Sequence, residues 1–197
     1  MKHLCLLLFC LTFLPVQAQW QWYNPQKAEY PVIQNQGWPA EIGKTYVRLP
    51  NRAEPDLRKP VWELSRNSAG LAIRFYSNAP RIKVRYTVAG PLNMPHMPST
   101  GVSGVDLYNI DNDGKWHFCF GGYSFSDTIQ YSYDHIRKSP YHDLGYEYNL
   151  YLPLYNSVKW MEIGIPEGYK FQFIPQLPEK PILLYGTSVG QGACASR

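Results

Sequence analysis

The residue best placed to do chemistry is Ser188, in the stretch Pro181-Ile182-Leu183-Leu184-Tyr185-Gly186-Thr187-Ser188-Val189-Gly190-Gln191-Gly192. Ile182 to Tyr185 is a short apolar run closed by a glycine, the pattern of a buried strand with a sharp exit. Gly186, Gly190 and Gly192 allow a tight backbone turn and the close approach of a ligand. Ligands of open α/β sheets bind at the carboxyl ends of strands. A serine there can present its Oγ outward and aim its own N–H at a developing oxyanion. A Gly-Thr-Ser cluster is also an ordinary turn, so these residues alone leave both readings open.

Two motifs in register carry a resemblance. Gly186-Thr187-Ser188-Val189, followed by Gln191-Gly192-Ala193-Cys194-Ala195-Ser196-Arg197, resembles the first sequence block of the SGNH (GDSL-type) hydrolases. Upstream, Gly104-Val105-Asp106-Leu107-Tyr108 is similar to the Gly-x-Asp-Leu-Tyr motif of a bacterial branch with an N-terminal β-sandwich. Thr187 departs from the Asp of the family pattern, Val189 from the Leu and Gly190 from the more usual Thr. The resemblance implies an antiparallel, jelly-roll-like sandwich followed by the first strand of an α/β hydrolase domain. It also implies that Ser188 is the nucleophile. The oxyanion-hole Gly and Asn and the Asp-x-x-His pair come later in the family than this sequence reaches. A serine without a base is a poor nucleophile, so the chain by itself is expected to be inactive.

Residues 1–18 read as a secretory signal peptide. Lys2 and His3 give a basic start, Leu4 to Leu14 an apolar run, and Val16-Gln17-Ala18 a small-x-small cleavage site. The run is shorter than the roughly 20 apolar residues of a membrane span. The expected organisation is therefore a leader at 1–18, a β-sandwich at 19–178 and the start of a hydrolase domain at 179–197, in an exported protein, secreted or periplasmic. The formal charge of +4 is spread along the chain, which argues against a nucleic-acid footprint. Cys119 and Cys194 follow the leader and would meet an oxidising compartment, but their spacing supplies no reason for them to pair.

Gln19 to Pro60 has little periodicity and reads as an arm and loops, with Tyr46 to Leu49 as a possible edge strand. Strands are expected at Val61–Arg66, Leu71–Ser77, Arg81–Ala89, Val102–Asp111, Lys115–Tyr123, Thr128–Tyr133, Tyr146–Pro153, Val158–Pro166 and Tyr169–Ile174, divided by Gly, Pro and Asn turns. Many short strands without helical spacing indicate an antiparallel sandwich. The clearest alternates Ile82, Val84, Tyr86 and Val88 with Arg81, Lys83, Arg85 and Thr87, one apolar face and one basic. Pro175, Pro178 and Pro181 make a stiff linker to the second domain.

In the Pro-rich loop Gly90 to Gly101, His96 and Met97 are expected to pack on the hydrolase domain and line the approach to Ser188. One His with two Met is too few ligands for a metal. Asp106 is assigned a structural hydrogen-bonding role within the motif of Gly104, Leu107 and Tyr108. Asp111-Asn112-Asp113-Gly114 is a hairpin turn lacking the later carboxylate of a calcium loop. No metal or organic cofactor is expected.

Two functions remain. The first is the N-terminal part of an ester hydrolase that removes a short acyl group, as the resemblance implies, from a substrate such as an acylated polysaccharide. Its sandwich would stabilise and shape the missing C-terminal domain. The second is a non-catalytic carbohydrate-binding sandwich, favoured by 16 Tyr and 6 Trp, since flat rings suit saccharide faces although they also fill cores.

Overall fold

The computed structural model describes residues 19–136, 143–178 and Gly186. Ser188, Cys194, the leader and the expected strand at Ile182 to Tyr185 lie outside the described residues. Two antiparallel sheets face each other. The first runs β1 (Trp20–Tyr23), β10 (Val158–Pro166), β4 (Ile82–Val88), β8 (Ile129–Tyr133) and β7 (Gly122–Ser124). The second runs β11 (Phe171–Phe173), β3 (Ala72–Ser77), β9 (Tyr146–Tyr151), β5 (Asp106–Ile110) and β6 (Trp116–Phe118), with β2 (Ile33–Gln34) also on β3. The pairs β11 with β3, β10 with β4, β9 with β5 and β8 with β7 nest one within another.

Alternation explains the layering. Ile82, Val84 and Tyr86 point inward from the first sheet, as do Met161, Ile163 and Ile165. Ile73, Phe75, Leu107, Tyr148 and Leu150 meet them from the second. At a period of two, each strand hands every second side chain to this shared core.

Several expected elements are revised. Val61 to Arg66 is no strand: α2 (Lys59–Ser65) is a short helix with Pro60 in its first turn. Proline there loses no intrahelical hydrogen bond, and Lys59 and Glu63 pair one turn apart. Tyr46 to Leu49 is irregular, and Tyr46 is buried in the core. The supposed arm instead contributes β1, β2 and the short helix α1 (Pro39–Ile42). The motif strand starts at Asp106 rather than Val102, because Pro98 opens the helical turn α3 (Ser99–Ser103). Lys115 to Tyr123 divides into β6 and β7 in opposite sheets, the chain crossing the open side of the sandwich through Phe120 and Gly121.

The core also stores an alkaline weakness. The Tyr46, Tyr133 and Tyr148 hydroxyls are buried with no hydrogen-bond partner among the described residues, and burial holds all three phenols well above their ordinary value of 10.0. Burial likewise pushes the Cys119 thiol from 9.0 up to about 11. In each case the unfolded chain releases its proton first, so folding stability is complete below pH 9.0 and falls as pH rises toward about 11 for the thiol, with the phenols adding to the loss above 10.0. Urea denaturation should therefore give a lower midpoint at about pH 10.5 than at about pH 8. An unchanged midpoint would contradict this burial.

Candidate functional site

The Gly-x-Asp-Leu-Tyr segment joins α3 to β5 and is anchored from the opposite sheet. Tyr86 on β4 donates its hydroxyl to the Ser103 carbonyl at 2.6 Å. Gly104 fits between the Thr100 carbonyl and the Tyr131 hydroxyl, where a Cβ would stand 2.3 Å and 2.8 Å from the two oxygens. Val105 and Leu107 enter the core. Asp106 is half-buried at the first position of β5, opposite Tyr151. Tyr108 faces outward and meets Phe118 edge-on, with ring centroids 5.4 Å apart.

The loop before the motif is folded on itself. Met94 and Met97 exchange backbone hydrogen bonds of 3.0 and 3.1 Å, which makes Pro95-His96 a two-residue turn. His96 is exposed at its tip. Met97 is buried and covers Gly101. Of the two residues expected to meet a second domain, His96 alone presents its side chain to solvent.

Asn156, which sequence reasoning passed over, holds this loop in place. Its Oδ1 accepts from the Gly90 N–H at 2.9 Å and the Ser157 N–H at 3.0 Å. Its Nδ2 donates to the Pro91 carbonyl and the Ser103 Oγ, both at 2.9 Å. Ser103 in turn donates to the Leu92 carbonyl. The only hint in the sequence is a polar residue between two apolar strands, and turn asparagines share that pattern.

The exit of the sandwich lies at the same end. β11 runs antiparallel to β3 from Ser77 toward Phe75, and the Ile174 N–H then bonds the Arg74 carbonyl. Gln176 and Leu177 continue along β2, bonding the Pro31 carbonyl and the Gln34 Oε1. Ala72, at that end of β3, is level with Tyr151 and Asp106. The chain therefore leaves toward the end where the motif begins.

The other candidates resolve differently. The basic face of β4 is roofed by tryptophan: Lys83 stands 4.5 Å from the Trp20 ring and Arg85 3.8 Å from the Trp22 ring. Arg85 also pairs with Glu162 at 2.6 Å. Cation–π contact and ion pairing thus occupy much of that charge. In the β5–β6 hairpin, Asp111 Oδ1 accepts from the Asp113 and Lys115 N–H groups while Oδ2 meets His117 Nε2 at 2.8 Å. The His117 hydrogen bond, with those backbone bonds, lowers the Asp111 pKa. Among the described residues no three His, Cys, Asp or Glu side chains gather to hold a metal, and no helix is long and apolar enough to cross a membrane.

A mainly antiparallel β fold with a Gly-x-Asp-Leu-Tyr strand anchored at its exit end defines a class. A family model described as the N-terminus of SGNH-hydrolase-type esterases, named for the Gly-x-Asp-Leu-Tyr motif, matches residues 20–171. The chain belongs to this family. Among solved structures it is similar to a GDSL-like lipase from Bacteroides ovatus, with 27% identity and a TM-score of 0.65 over 78% of this chain. The chain spans only 43% of that protein. A weaker likeness, 16% identity and a TM-score of 0.42, covers 68% of this chain and 34% of a salicylyl-acyltransferase, SsfX3, from a tetracycline biosynthetic pathway. No curated protein matches.

Proposed function

We propose that this chain is the N-terminal part of an exported SGNH-type ester hydrolase, its sandwich stabilising a catalytic portion that begins near Glu179. The family match over residues 20–171 carries this reading. The chain's departure toward the end of the sandwich that holds Asp106 and the α3 loop agrees with it, because a following domain would emerge at that end. In this reading Ser188 attacks the ester carbonyl and its own N–H donates to the oxyanion. A histidine from the continuing sequence takes the serine proton, and an aspartate orients that histidine. The substrate class is a short acyl ester, with acetate on a polysaccharide as the leading case. Residues 1–18 direct export and are removed, and His96 contacts the catalytic portion.

The gene product extended beyond Arg197 should cleave 4-nitrophenyl acetate. Ser188→Ala should lower kcat by about 10^4-fold or more while the melting temperature stays unchanged. Equal rates in the two proteins would end the assignment. Mass spectrometry of the exported protein should find Gln19 as its first residue.

A further inference from the structure

The outer face of the second sheet carries a cluster of aromatic rings at its β6 side. Trp116 and Phe118 are 48% and 54% exposed and Tyr151 is 37% exposed, unusual values for such large side chains. Trp116 and Tyr151 lie at 27° with centroids 6.3 Å apart, and Tyr108 stands edge-on to Tyr151 at 6.0 Å. The rings support one another and still reach the surface. Contiguous exposed aromatic area marks a binding site more often than it marks inert surface.

The polar groups on the same face select the ligand. Asn149 lies between Arg74 and Tyr108 in register. It is only 3% exposed, and its Nδ2 is buried without a hydrogen-bond partner among the described residues. By strand alternation it points to the side of Tyr151, but it lies too deep to touch a ligand. Beyond it, the Arg74 guanidinium is held by Glu147, with an Nε to Oε1 distance of 2.8 Å, and Tyr76 approaches the same carboxylate. The cation is thereby matched by a carboxylate and offers little net attraction for an anion. Flat rings beside an internally neutralised ion pair suit a ligand with apolar C–H faces and hydroxyl edges. The row from Arg74 to Phe118 crosses three strand spacings, about 14 Å, enough for more than one sugar ring.

We infer that Trp116, Tyr151 and Tyr108, with the Arg74–Glu147 pair at their edge, form a binding site for a neutral polysaccharide. Through Leu177 the chain runs along β11 and β2, at the opposite edge of this sheet from the rings. The site is independent of ester hydrolysis, so it stands or falls separately from the role of Ser188.

Affinity electrophoresis of the full chain through gels containing arabinoxylan, galactomannan or mixed-linkage glucan tests the site, with polygalacturonate as the anionic comparison. Retardation is expected in at least one neutral gel and not in polygalacturonate. Trp116→Ala and Tyr151→Ala should each weaken it by about tenfold, with Trp116→Tyr retaining part of the binding. Phe120→Ala, an exposed ring outside the cluster, should bind like the parent, and thermal melts should show all variants folded. Absence of retardation in every neutral gel would overturn the site, as would full retardation of folded Trp116→Ala. Sedimentation showing a dimer that Trp116→Ala dissociates, without glycan retardation, would reassign the face to self-association.

Discussion

Asn156→Leu should destabilise the sandwich by about 3–4 kcal/mol, seen as a lower urea midpoint at unchanged slope. Leucine keeps the branched outline with bulkier methyl ends, so no cavity opens, and the loss comes from hydrogen bonding with a smaller part from overpacking. Asn156 is 2% exposed, and its amide serves partners on both sides of the α3 loop. Removing it strips the Gly90 and Ser157 N–H groups of a side-chain acceptor. It also leaves the Pro91 carbonyl and Ser103 Oγ without their donor. Each buried group left unsatisfied costs about 1–3 kcal/mol, and part of this set regains water because Pro91 is at the surface. A cost below about 1 kcal/mol would show that the loop is held by its prolines instead.

Gly104→Ala is the second large effect, with an expected cost of about 3 kcal/mol. Backbone strain is not the cause, because φ of −75° and ψ of 161° are open to any residue. Space is. The added methyl would lie 2.3 Å from the Thr100 carbonyl oxygen and 3.0 Å from its carbon, atoms fixed by the α3 turn, and 2.8 Å from the Tyr131 hydroxyl. Relief requires β5 to move away from the first sheet, which would disturb Val105 and Leu107 in the core. Gly37→Ala, where nothing among the described residues lies within 4 Å, should be close to neutral and is the comparison that isolates the steric effect. Equal melting temperatures for the two variants would refute it.

These two positions differ in how they can be read. Gly104 belongs to a motif visible in the sequence, although the reason for a glycine there is two contacts, one of them from a strand more than twenty residues later. Asn156 belongs to no motif. It matters only because the fold brings the β9–β10 connection against residues 90–103, a contact between segments more than fifty residues apart. Tyr108 is intermediate: its strand was legible, but its place in an aromatic cluster depends on β6 and β9 lying on either side of it.

Local chemistry was enough to assign the alternating faces of β4, the Asp113-Gly114 hairpin, the mainly antiparallel β class and the family motif. Each of those signals is written within a few neighbouring residues, where side-chain direction follows the strand period. The tertiary structure decided which strands are neighbours and where Lys115 to Tyr123 crosses between sheets. It also decided that Trp20 and Trp22 form a strand roofing the basic face, and that Lys59 to Ser65 is helical. Those outcomes depend on partners supplied from distant parts of the chain, and a period of two says which side of a strand is buried without naming what buries it.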